Sequence, residues 1–208
     1  MKQTLIFIFG LGLFCFSSNT SLKAQQSVPD DYSEYYYHIS HLIKDTVIST
    51  PGKLTMPDYM KNLDFLDGYK IPTFSAKDMN GNIQNVDYKS KLTLLNFWNI
   101  DCSPCVEEMR YLNVLQQRYS EKLQVISLCL DSEADIAKFL EKHHLEFIVI
   151  PAALDIVENR FKMQWGYPKS ILVGQDGNVL GMIRGILGTD DLNFNKIDRL
   201  ILNYHSVE

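Results

Sequence analysis

An α/β fold built on a mixed sheet, parallel at its centre, antiparallel at one edge and flanked by helices, follows from three features of the chain. Short apolar runs at residues 92–97, 123–130 and 145–151 have the length and composition of strands buried on both faces. Each is followed by a stretch whose apolar residues recur at three- and four-residue steps, as one stripe of a helix does. Near the C-terminus the pattern changes to two extended runs about the turn Gln175-Asp176-Gly177-Asn178, a hairpin, and then a closing helix. Strands alternating with helices demand parallel pairing, and the hairpin supplies the antiparallel edge.

The chain opens with Lys2, an apolar stretch from residue 5 to 16, and the small polar residues 17–21 before Ala24. Residues 1–24 therefore read as a secretory signal, whose apolar stretch is too short for the roughly 20 apolar residues that span a bilayer. A lipid anchor at Cys15 is disfavoured by the bulky Phe14 before it. Residues 25–69 form an N-terminal extension with an aromatic cluster, Tyr32, Tyr35, Tyr36 and Tyr37. It holds two short helical patterns, Ile39, Leu42 and Ile43, then Tyr59, Leu63 and Leu66. So few apolar residues point to helices packed on the main domain rather than a separate core. Residues 70–208 are the domain. With 46% hydrophobic and 22% charged residues in 208, one core is expected, and a net charge of −5 with interspersed signs leaves no footprint for nucleic acid.

Within the domain, residues 71–88 read as two extended segments about Asn80-Gly81, a short hairpin signal. The strand at 92–97 leads into a helix marked by Cys105, Met109, Leu112, Leu115 and Tyr119. After the strand at 123–130, Ser132 with Asp135 opens a second helix whose inner face is Ile136, Phe139, Leu140 and His143. Residues 155–165 read as helical, anchored by Ile156, Phe161 and Trp165 and stopped by Gly166. Strands at 169–173 and 179–186 form the hairpin. Asp190 opens the last helix, with Leu192, Ile197, Leu200 and Ile201 on its buried side.

The chemistry concentrates in "LLNFWNIDCSPCVEEM", residues 94–109, where two cysteines two residues apart sit at a strand-to-helix turn. The first N–H groups of a helix are unpaired and its N-terminus is partly positive, so a thiolate there is stabilised. A cysteine so placed in a Cys-X-X-Cys pair has its pKa lowered from about 8.5 to roughly 3.5–7.5. Cys102, at the mouth of the helix, is the expected nucleophile. Cys105, one turn in, is the expected resolving cysteine. The competing readings are a zinc half-site, a structural disulfide or two unconnected core cysteines. Zinc needs two further ligands at compatible spacing, which the chain does not supply, so no metal is expected. Cys129, in an apolar strand, reads as a small core residue.

These motifs, with "IPTF…MNG" and "GYPKSILVGQDGNVLGMIRG", resemble the thioredoxin superfamily, and more closely its exported TlpA/ResA-type disulfide reductases, over about residues 71–204. The resemblance implies a thioredoxin-like fold. It implies that Pro168 is a cis-proline facing the cysteines, with the backbone of Tyr167 pairing to substrate. It implies that Glu108, on the buried side of the first helical turns, trades protons, complementing Asn96 where thioredoxins carry a buried aspartate. Trp98, Ser103 and Pro104 join Tyr167 and Pro168 as expected substrate-positioning residues. The chain departs from the pattern at Asp101, where thioredoxins have tryptophan and where a carboxylate opposes thiolate formation. It departs again at Arg110, in place of a helix-kinking proline, and at Ser103, in place of glycine.

The expected function is an exported thiol-disulfide oxidoreductase, a monomer of the periplasm or cell envelope. It would reduce protein disulfides without a cofactor and draw electrons from a membrane-bound or exported thiol donor. A thiol peroxidase on the same fold would need threonine or serine where Asn99 stands. A copper chaperone would need a His or Met near the thiolates.

Overall fold

The computed structural model describes residues 67–161, 163 and 166–204. The signal at 1–24, nearly all of the extension at 25–69 and the anchor Trp165 lie outside the described residues.

A hairpin of β1 (Phe74–Lys77) and β2 (Ile83–Val86) comes first and forms its own two-stranded sheet. Asn80 and Gly81 lie in its turn, but the turn is wider than the two-residue form their pairing suggests. Gly81, at φ 85°, donates its N–H to Asp78 O at 3.0 Å, and Asp78 N–H donates to Asn82 O at 2.9 Å. That is a three-residue loop, in which the glycine takes the left-handed conformation. The Asp78 carboxylate braces it, accepting from the N–H groups of Asn80 and Asn82.

The main sheet has five strands in the order β5-β4-β3-β6-β7. At its centre β3 (Leu92–Trp98), buried at all seven positions, runs parallel to β4 (Leu123–Cys129) and antiparallel to β6 (Lys169–Val173). The edges are β5 (Ile148–Ile150), parallel to β4, and β7 (Val179–Ile183), antiparallel to β6. Both edge strands are shorter than the apolar runs that predicted them. Alternation along the strands divides the core in two. Leu95, Phe97, Ile171 and Val173 face one cluster with Phe74, Tyr88 and Phe161. Leu94, Val125, Leu172 and Ile183 face the other, beneath the helices.

On that second face lie α1 (Ser103–Arg118), α2 (Glu133–Leu140) and α3 (Leu192–Tyr204). The stripe Cys105, Met109, Leu112, Leu115 is buried as its spacing requires, and α1 runs unbroken through Arg110. Ser132 caps α2, its Oγ accepting the Asp135 N–H at 3.2 Å. The last helix starts later than expected: Asp191, not Asp190, makes the opening turn by accepting from Asn193 N–H at 2.6 Å. Consequently Leu192 is 83% exposed, and Phe194 takes the buried place assigned to it. The segment after β5 also departs from expectation. Among the described residues of the expected helix there is a π-helical turn, Ile156–Arg160, closed by Phe161 N–H on Ile156 O, and residue 163 is not helical. The wider i→i+5 turn buries Val157 with Phe161, whose ring meets Phe74 and Phe97 edge-on at 5.6 and 5.4 Å.

Candidate active site

The sequence folds into a strand-to-helix turn where β3 ends because Pro104 lacks an N–H and suits a first helical turn. Cys102 is the N-cap residue, in extended conformation. Its carbonyl accepts from the N–H groups of Cys105 (2.9 Å) and Val106 (3.1 Å), and no side chain caps the helix. The cysteines are joined in a disulfide with Cα atoms 5.2 Å apart. Cys102 is half-buried, Cys105 fully buried, and Ser103 and Pro104 are exposed beside them. The accessible sulfur is therefore that of Cys102. The approach to it is fastened from below: Asp131 Oδ2 accepts the Ile100 N–H at 2.7 Å and the Cys129 thiol at 3.3 Å. Burial pushes the Cys129 thiol well above its ordinary range, which suits a core residue rather than a nucleophile.

Glu108 follows Cys105 by one turn and is fully buried. Its Oε1 accepts from Asn96 Nδ2 at 2.6 Å and its Oε2 from the Ile186 N–H at 3.0 Å. Burial raises its pKa to about 7, against the opposing pull of those two donors. Glu107, one residue earlier, is exposed and pairs with Arg110 at 3.4 Å.

The bond from Ile186 explains why β7 stops short. At Gly185, φ 69°, the chain leaves the ladder and turns an N–H toward Glu108. A Cβ at Gly185 would stand 3.4 Å from Pro168 Cγ and 4.0 Å from Glu108 Oε2, so this backbone packs between proline and carboxylate. The Tyr167-Pro168 bond is cis. Tyr167 is half-buried, with the Lys169 ammonium 5.9 Å from its ring centre. Lys169 is only 2% exposed; burial, aided by the Arg184 guanidinium, lowers its pKa to about 7.

Cys102, Cys105, Glu108, Asn96, Pro168 and Tyr167 thus occupy one end of the sheet. Trp98 does not join them as a substrate contact. It is fully buried in the second cluster, donating its indole N–H to Ser127 Oγ and packing on Phe139 at 5.3 Å. Alternation on β3 turns it toward the helix-covered cluster. Ser170, absent from the expected site, accepts from Asn96 Nδ2 at 3.1 Å. Its signal was a hydroxyl in a strand buried on both faces, which requires a partner.

A sequence model of the redoxin family matches residues 66–201. The chain belongs to that family. Within it this redoxin is a TlpA/ResA-like member of the thioredoxin superfamily. It is similar to the thiol-disulfide oxidoreductase ResA of Bacillus thuringiensis subsp. konkukian, 38% identical over 125 residues, which cover 57% of this chain and 69% of that one. Among solved structures it is similar to a thiol:disulfide interchange protein DsbE from Chlorobium tepidum (TM-score 0.58, 26% identity, 65% of this chain and 97% of that one). It is similar also to the thioredoxin domain of a thiol-disulfide oxidoreductase from Bacteroides vulgatus (TM-score 0.56, 26% identity, the same shares).

Proposed function

We propose that this redoxin is an exported thiol-disulfide oxidoreductase that reduces protein disulfides, and that Cys102 and Cys105 are its redox couple. The observation that carries this reading is the arrangement at the start of α1: an accessible Cys102 sulfur at an uncapped helix N-terminus, a buried Cys105, and a buried carboxylate one turn further on. The ResA relatives, named thiol-disulfide oxidoreductases, support the same chemistry.

In the reduced protein the Cys102 thiolate attacks one sulfur of a substrate disulfide. A Cys102–substrate bond forms, the substrate S–S bond breaks, and one substrate sulfur leaves as thiolate. Glu108 then takes the proton from the Cys105 thiol, and the Cys105 thiolate attacks Cys102 Sγ. The Cys102–Cys105 disulfide forms, the mixed disulfide breaks, and the second substrate thiolate departs. Two electrons pass to the substrate, and the proton held on Glu108 is returned to solvent or product. A carboxyl with pKa about 7 is matched to this traffic at neutral pH. Tyr167, preceding the cis-proline, offers backbone to an extended substrate segment; Ser103 and Pro104 border it from the helix side.

The signal-like segment at 1–24 supports a place in the periplasm or cell envelope, where a monomer would be recharged by a membrane-bound or exported thiol donor. The test is twofold. Cys105→Ser should accumulate a mixed disulfide between Cys102 and substrate, seen as a thiol-reversible adduct by mass spectrometry. The couple's potential, measured in a thiol redox buffer with Cys129→Ser as control, should lie near −270 mV rather than near −120 mV, by analogy with the span of this fold. A potential at the oxidising end would make the protein a disulfide donor, and no reversible couple would end the redox reading.

A further inference from the structure

Arg184 follows the last residue of β7 and carries a charge without a counter-charge. Among the described residues its guanidinium forms no ion pair, and its buried Nε has no hydrogen-bond acceptor. A guanidinium holds its N–H donors in a planar fork, so a half-buried one left this way is short of an acceptor. Its place is well defined. The Arg184 carbonyl accepts from Asn193 Nδ2 at 3.0 Å, and the guanidinium lies beside Gly166, where a Cβ would stand 2.9 Å from Nη2. Gly166, at φ 82°, is exposed and precedes Tyr167 and the cis-proline Pro168. The missing side chain leaves room for the guanidinium next to the backbone that an extended substrate segment would pair with.

We infer that Arg184 binds a carboxylate of the substrate segment beside its reacting cysteine, so that this redoxin prefers protein disulfides flanked by Asp or Glu. The inference rests on the disulfide-reducing role proposed above and names its substrate class. A carboxylate fits the planar fork with two parallel N–H···O bonds, and it supplies both the missing acceptor and the missing charge.

The surrounding charges are divided in the same sense. Lys169 lies on the neighbouring strand, one residue beyond the Ser170–Ile183 pair, close enough to Arg184 to feel its charge. It is fully buried and stays out of contact with substrate. On the helix side, Asp101 and Glu107 are exposed, Glu107 paired with Arg110. From the π-helical turn, exposed Glu158 acts on Tyr167 but makes no ion pair with Arg184. An acidic side chain is thus drawn to the Gly166 side of Tyr167 and repelled by Asp101 before Cys102, which selects one orientation of the substrate segment.

The experiment uses the full chain carrying Cys105→Ser and short peptides with one cysteine, activated as a thiopyridyl disulfide. The Cys102 thiolate attacks the peptide sulfur, the Cys102–peptide bond forms, the bond to the pyridyl sulfur breaks, and the leaving group takes a proton from water as thiopyridone. Glu is placed in turn at each of the two positions on either side of the cysteine. Each such peptide competes with its Gln twin, one of the two isotopically labelled, and mass spectrometry reads the ratio of adducts on Cys102. At one position or more the Glu peptide should win by about tenfold, as a hydrogen bond to a charged group warrants. Added salt should shrink that ratio, and Arg184→Gln should bring it near one. The ratio is taken within each protein, so a loss common to both peptides cancels. Ratios near one at all four positions, or a ratio that survives Arg184→Gln, would overturn the inference while leaving the oxidoreductase reading standing. Absence of any adduct on Cys102 would end both.

Discussion

Replacing Glu108 with glutamine removes a charge and keeps the shape, and the consequence for stability can be worked out in advance. In the folded protein Glu108 titrates near 7, against an ordinary 4.5, because burial disfavours its ionised form. The folded state therefore binds the proton more tightly than the unfolded chain. The group favours folding fully below pH 4.5, and that contribution is lost as pH rises through about 7. Integrating between pH 5 and 8 gives a loss of roughly 2.5 kcal/mol for the wild type, a loss that Glu108→Gln cannot share. Glutamine brings an offset of its own, since its amide cannot accept from both Asn96 and Ile186. That offset does not vary with pH. The assay is urea unfolding of the oxidised proteins at pH 5, 6, 7 and 8, taking at each pH the variant's unfolding free energy minus the wild type's. The difference should climb by about 2.5 kcal/mol across the range, most of it between pH 5 and 7. A difference that stays flat would show that Glu108 titrates at its ordinary value, and would remove the physical basis for its proton role.

Two further outcomes are expected. Lys169, buried and with its pKa lowered to about 7, has the opposite sign: the folded state holds its proton more weakly, so stability falls as pH drops from 10.5 toward 7. Lys169→Met should therefore gain on the wild type by a few kcal/mol at pH 6, with the gain shrinking by pH 10; urea unfolding at the two pH values reads it. Asp131→Ala frees the Ile100 N–H and the Cys129 thiol, and should cost about 1–3 kcal/mol. It should also speed hydrogen exchange at Ile100, ahead of Cys102, without moving the Glu108 midpoint.

Local pattern was enough to place much of this site. The stripe from Cys105 to Leu115 and the apolar run before it are read directly from periodicity, and they put Cys102 at a helix mouth wherever that helix packs. Spacing also set Glu108 inward on α1, three residues after Cys105 and four before Leu112, because helical neighbours three and four apart share a face. Where the pattern misled, a longer-range contact had overruled it. Trp98 was expected among the substrate-positioning residues, yet its place on β3 and a partner at Ser127 bury it in the core. Leu192 carried a buried residue's chemistry, but the turn at Asp191 shifted the helix start and gave its place to Phe194. The start of the expected helix is a π-helical turn, Ile156–Arg160, beside which Phe161 meets both Phe74 and Phe97.

The sequence by itself determined the order of strands and helices and the pair of cysteines at a strand-to-helix turn, because these depend on residues close together in the chain. Only the tertiary structure decided what surrounds Glu108. Asn96, Ser170 and Ile186 come from β3, β6 and the chain beyond β7, and their meeting depends on which strands are neighbours in the sheet. A carboxylate's proton affinity is set by the burial and donors that this meeting supplies, and no local pattern carries that information.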